Sequence, residues 1–110
     1  MSIPTITIDQ VPADLPAGVT LIDVREPVEW AHGHAPDAVH IPMNEIPERI
    51  AEIPQDGQVL VVCKVGGRSG QVVGYLVQNG YDAVNIDGGM LEWQAAGRPM
   101  VADAGEPTVF

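Results

Sequence analysis

At 110 residues, with 45% of them apolar, the chain is long enough for one domain around one core, spanning residues 1–110, and too short for two. No apolar run reaches the length of a membrane helix, and Met1–Ile8 has neither a basic start nor a cleavable apolar core, so neither a membrane span nor a secretory leader is expected. A net charge of -10 argues against nucleic acid and anionic membranes as partners, and a single cysteine excludes an internal disulfide; the expectation is a monomeric cytoplasmic protein with a free thiol.

Strands and helices alternate along the chain with no linker between them. Thr5–Ile8 alternates polar and apolar residues, as a short edge strand does. Thr20–Val24 reads as a buried strand. Glu26–Ala31 follows as a short helix, with Pro27 near its start and acids in its first turn. Gly33 and Pro36 end it. Ala38–Ile41 is a third strand, stopped by Pro42. Asn44 is placed to cap a helix running through Ile53, with Ile46, Ile50 and Ile53 on one face and Pro47 confined to the first turn.

Val59–Val62 is continuously apolar, as expected of a central parallel strand buried on both faces. Ser69 is placed to cap the next helix, which ends at Gly80 and offers Val72, Val73, Leu76 and Val77 to the core. Gly74 costs that helix about 1 kcal/mol relative to Ala, which predicts close packing there. Ala83–Ile86 is the last strand. Asp87-Gly88-Gly89 turns into a short helix carrying Trp93 and ending at Gly97, and the tail from Arg98 is irregular. This order predicts an α/β sandwich on a mostly parallel sheet of about five strands. In such folds ligands sit beyond the carboxyl ends of strands, where Asp23, Arg25, Cys63 and Asp87 all fall.

Between the central strand and its helix stands Cys63-Lys64-Val65-Gly66-Gly67-Arg68-Ser69, which joins the only cysteine to the only lysine. Gly66 and Gly67 permit positive φ and an inward ring of backbone N–H groups. The helix that follows adds its positive end. Arg68 offers a planar fork of donors, and Ser69 can donate to sulfur or cap the helix, with capping the preferred role. Outside the loop, fifteen acids face only Arg25, Arg49 and Arg98, a balance of -12, so the loop reads as a positive spot on an acidic body. Such surroundings favour thiolate over thiol and make Cys63 a nucleophile without a base. No histidine lies within twenty residues of it in sequence. A cysteine retained only for packing would account for its strand-end position but not for the glycines, Arg68 and the helix start together.

Four segments in order resemble the rhodanese family. They are the cysteine loop; Leu21-Ile22-Asp23-Val24-Arg25-Glu26 with Trp30; Gly33-His34-Ala35-Pro36-Asp37-Ala38-Val39-His40-Ile41-Pro42, where Asp37 replaces the usual glycine; and Asp87-Gly88-Gly89-Met90-Leu91-Glu92-Trp93 with Ala96-Gly97. The resemblance is to a single-domain member, since no internal repeat is present. It implies a rhodanese-like three-layer α/β/α sandwich. It also implies a sulfurtransferase in which Cys63 takes a sulfane sulfur from thiosulfate, releases sulfite, and passes the sulfur from its persulfide to cyanide, a thiol or a thioredoxin-like acceptor. No metal and no organic cofactor are implied. Lys64 and Arg68 would help to bind the anionic donor, with Val65, Gly66, Gly67 and Ser69 completing the cradle.

The alternatives are a partner-specific sulfur relay or regulatory module and, further off, a cysteine-dependent phosphatase or arsenate reductase. Phosphatases of related fold place arginine six positions after cysteine, whereas Arg68 follows Cys63 by five, a ring suited to one sulfur atom. Asp23 and Arg25 read as an ion pair shaping the site. His32 and His34 have a metal-like spacing but no clustered partners, and His34 reads as a structural hydrogen-bonding residue. His40 is expected to be partly buried in its strand, and Trp30 and Trp93 to be core or pocket wall.

Overall fold

The computed structural model describes residues 3–110; the first two residues of the segment read as lacking a leader lie outside them. Five strands form one parallel sheet: β1 (Thr5–Ile6), β2 (Thr20–Asp23), β3 (Val39–His40), β4 (Gln58–Val62) and β5 (Asp82–Ile86), in the order β1-β5-β4-β2-β3. Four helices accompany them: α1 (Pro27–His32), α2 (Ile46–Arg49), α3 (Gly67–Gln78) and α4 (Gly89–Ala95). The expected α/β sandwich on a parallel sheet is therefore present, and β4 is its middle strand. Among the described residues no helix is long and apolar enough to cross a membrane.

Because side chains alternate along a strand, β4 feeds two cores. Val59, Val61 and Cys63 join one face with Val72, Val73 and Leu76 of α3 and with Ile46 and Ile53. Leu60 and Val62 join the other face with Met90 and Trp93 of α4 and with Val11. Burial of each large aliphatic side chain contributes about 1.5–3 kcal/mol, so α3 is pinned to the sheet by three such anchors. The cysteine thus projects to the face that α3 covers.

Three local expectations are corrected. The helix expected from Asn44 to Ile53 is a chain of short turns: 3₁₀ at Met43–Glu45, α at Ile46–Arg49 and 3₁₀ at Ile50–Glu52. Pro47 has no N–H to give to the Met43 carbonyl, and its ring crowds that carbonyl. The Ile46 N–H bonds to Met43 instead, closing a tighter turn, and Asn44 lies inside that turn rather than capping it. Gly66, at φ 113°, is the N-cap of α3, so Ser69 sits inside the helix and does not cap it. A Cβ at Gly74 would make only ordinary contact with Ile3, at 4.0 Å; the tighter approach is at Gly70, 3.3 Å from the same side chain.

The connection after β2 leads outward to β3, and the one after β4 leads the other way to β5. Neighbouring carboxyl ends with diverging connections leave a crevice, which is where this architecture binds ligands. The Val24 N–H bonds the Val62 carbonyl at 3.0 Å, bringing the Asp23–Arg25 end of β2 beside the Cys63 end of β4.

Candidate active site

Cys63 follows the last residue of β4 and is 1% exposed. Its sulfur lies under the loop that climbs into α3. The Gly66 N–H donates to Sγ at 3.0 Å, and Ser69 Oγ lies 3.2 Å from Sγ. Burial pushes the thiol pKa up, but it is outweighed by the Ser69 hydroxyl and by the backbone N–H groups of Ser69, Gly66 and Val65, so the pKa falls below the ordinary thiol value. Gly66 does what the loop sequence suggested, taking the left-handed conformation that turns the N–H groups onto the sulfur; Gly67 does not share that conformation and opens α3 as an ordinary helical residue.

Ser69 is the hinge of a short polar relay. Its Oγ lies 2.6 Å from Asn85 Oδ1, and Asn85 Nδ2 donates to the Gly66 carbonyl at 3.3 Å, which fixes the amide orientation. One hydroxyl proton serves two acceptors. With a protonated thiol it can point to Asn85, and with a thiolate it can turn to sulfur. Asn85 is a residue of the site that the sequence motifs do not include. The signal was there: one amide in the apolar run Ala83–Ile86 of a buried strand must find partners.

The loop is clamped from the β5 side. The Met90 N–H donates to the Cys63 carbonyl at 2.8 Å and the Leu91 N–H to the Lys64 carbonyl at 3.1 Å. Gly89, at φ 57°, makes this approach possible. A Cβ there would stand 2.5 Å from both carbonyl oxygens. The Asp87-Gly88-Gly89 turn therefore holds the cysteine loop, as its strand-end position allowed.

The charges correct one expectation. Arg68 is not a free fork: Nη1 and Nη2 donate to Glu29 Oε1 and Oε2 of α1 at 2.6 and 2.9 Å. That pair brings the Glu29 pKa down to about 2, mainly through the hydrogen bond from Arg68. Lys64 forms no ion pair among the described residues, so the positive spot consists of one unpaired cation and one neutralised cation.

Asp23 and Arg25 pair as expected, both fully buried, at 2.7 Å. Arg25 Nη2 also donates to the Gly33 carbonyl at 2.7 Å, and the Arg25 N–H to Asp23 Oδ1 at 3.0 Å. Arg25 thus ties the end of β2 to the end of α1, and Nη1 is buried without a partner. Removing Asp23 would leave that buried guanidinium uncompensated, a loss of about 3–5 kcal/mol. His34 Nδ1 donates to the Trp30 carbonyl and His40 Nε2 to the Arg25 carbonyl, each at 2.8 Å, while both rings stack on Trp30. These histidines brace α1, the helix that presents Glu29. No group of His, Cys, Asp and Glu suited to a metal ion occurs among the described residues. A groove of about 500 Å³, bordered by Arg68, runs past Glu26, Met43, Asn44 and Pro47. A second cavity, about 520 Å³ and lined in part by Leu21, Trp93 and Arg98, includes no residue of the loop.

The sequence matches the rhodanese-like domain family over residues 7–96, and the chain belongs to that family. It is 47% identical to a sulfurtransferase of Allochromatium vinosum over 88 residues, covering 79% of this chain and 82% of that protein. Among solved structures, a rhodanese-related protein from Thermoplasma volcanium superposes with a TM-score of 0.82 at 31% identity, covering 89% of this chain and 97% of that one. A rhodanese-like domain protein from Staphylococcus aureus gives 0.74 at 39% identity, covering 82% and 90%. The chain is a rhodanese-like relative of sulfurtransferases.

Proposed function

We propose that the protein is a sulfurtransferase that carries sulfane sulfur as a persulfide on Cys63. The observation that carries this reading is the Cys63 sulfur held by the Gly66 N–H at 3.0 Å and faced by the Ser69 hydroxyl at 3.2 Å, at the foot of α3. These donors favour the thiolate, which is the attacking species. The thiolate attacks the outer sulfur of thiosulfate or a related donor. The new S–S bond forms as the donor's S–S bond breaks, and the electron pair leaves with sulfite or the donor thiolate. The loop's N–H groups then face the carried sulfur and stabilise its charge. Lys64 supplies the cation for an anionic donor. A thiophilic acceptor, such as cyanide, a small thiol or a thioredoxin-like protein thiol, attacks that outer sulfur and restores the Cys63 thiolate.

The test is a transfer assay in two stages. The protein is loaded with a sulfane sulfur donor, freed of excess donor by gel filtration, and treated with cyanide. Thiocyanate close to one equivalent per chain, absent from Cys63→Ser, is the expected result. No thiocyanate from protein treated with either thiosulfate or a hydropersulfide would overturn the reading. A sulfur adduct that resists cyanide but moves to a protein thiol would favour a partner-specific relay instead.

A further inference from the structure

We propose that Glu29 sets the donor class of the Cys63 site: by holding the Arg68 guanidinium in a two-pronged ion pair, it turns the site away from dianionic thiosulfate and toward hydropersulfides of thiols. This rests on the persulfide reading above and narrows its substrate.

Arg68 lies in the first turn of α3, and Glu29 comes from α1, 39 residues earlier. Both η nitrogens are engaged, and the Glu29 side chain is only 12% exposed. It remains ionised throughout the neutral range. Glu26 adds a further carboxylate to the groove that Arg68 borders. Arg68 therefore faces two carboxylates, Glu29 and Glu26, as well as the Cys63 sulfur. Of the loop's two cations, Lys64 alone is outside an ion pair among the described residues, on a protein that carries -10.

Thiosulfate brings two negative charges to this site, and sulfite takes both away. The S–SH group of a hydropersulfide, R–S–SH, carries one charge at most. In that reaction the Cys63 thiolate attacks the outer sulfur, Cys63 Sγ–S forms, R–S–S breaks, and the electron pair departs on R–S⁻. The proton stays on the transferred sulfur until it is lost to solvent. One leaving anion matches one unpaired lysine. The groove that Arg68 borders offers Met43 and Pro47 for the organic part of such a donor to lie against.

The experiment measures formation of the one-sulfur adduct on the full chain by quench and intact mass, against concentration of thiosulfate or of 2-hydroxyethyl hydropersulfide. In the wild type, loading by the hydropersulfide should be at least about a hundredfold more efficient. In Glu29→Gln the half-saturating thiosulfate concentration should fall about tenfold, with a smaller change in maximal rate, which shifts the donor ratio toward thiosulfate. Adding Arg68→Met to that variant should reverse the gain, which a merely loosened loop would not do. An unchanged donor ratio in Glu29→Gln would overturn the inference. If that variant does not fold, the wild-type ratio decides: thiosulfate loading as efficient as hydropersulfide loading overturns the inference but leaves the persulfide carrier standing. No loading by either donor overturns both.

Discussion

Ser69 Oγ stands 3.2 Å from Cys63 Sγ although the serine lies within a helix rather than at its cap. Long side chains are not needed to reach the sulfur, because Gly66 has already turned the backbone over it. The hydroxyl is one of the groups that draw the thiol pKa down against burial. Ser69→Ala should therefore raise that pKa, because a donor to the thiolate is lost while burial is kept. Alkylation by iodoacetamide at neutral pH should slow roughly fivefold, the worth of one such hydrogen bond. A pH profile of alkylation that does not move would show that the hydroxyl serves only Asn85.

Gly89 is the contact through which α4 grips the loop. Its Cβ position is 2.5 Å from the Cys63 and Lys64 carbonyl oxygens, and its φ of 57° disfavours a side chain. Gly89→Ala should destabilise the fold by about 1–3 kcal/mol in chemical denaturation. It should slow sulfur loading of Cys63 more than the stability loss alone explains, because the strain falls on the loop's own backbone. Gly97→Ala serves as the control: its φ is also positive but its Cβ meets nothing within 4 Å, so it should cost stability without a matching loss of loading.

The Glu29–Arg68 pair makes stability depend on pH in one direction. The Glu29 pKa is about 2 in the folded chain against an ordinary 4.5, so the folded state binds the proton less readily. Its contribution is complete above pH 4.5 and is lost as the pH falls toward 2. Arg68 is 34% exposed, so solvent screens the pair and its worth at neutral pH is about 1–2 kcal/mol. Glu29→Gln should be less stable than wild type by that amount at pH 7, and the gap should narrow as denaturation is measured at pH 4, 3 and 2.5. A gap that widens with acid would contradict the assignment.

The strands were legible wherever one residue type filled them. Val59–Val62 reads as a central strand because each residue is buried on whichever face it points to. The Cys63 loop was legible because its components are consecutive. The relations that complete the site join distant segments. Glu29 and Arg68 are 39 residues apart, and Ser69 and Asn85 are 16 apart. Nothing in either local pattern announces the partner, so the sequence shows the donor fork of Arg68 without the carboxylate that occupies it. Ser69 departs from its expected capping role for a local reason: serine ordinarily competes well for the N-cap, but here the left-handed Gly66 opens the helix one turn earlier. The stretch around Ile46–Ile53 has helical spacing in its isoleucines, yet Pro47 breaks the hydrogen-bond ladder that spacing presupposes.

The most direct measurement is the intact mass of the protein after treatment with a hydropersulfide, wild type beside Cys63→Ser. One added sulfur per chain on the wild type, lost on treatment with cyanide and absent from the variant, is the predicted result. An unmodified wild-type mass, or the same added sulfur on Cys63→Ser, would contradict the assignment of Cys63 as the sulfur carrier.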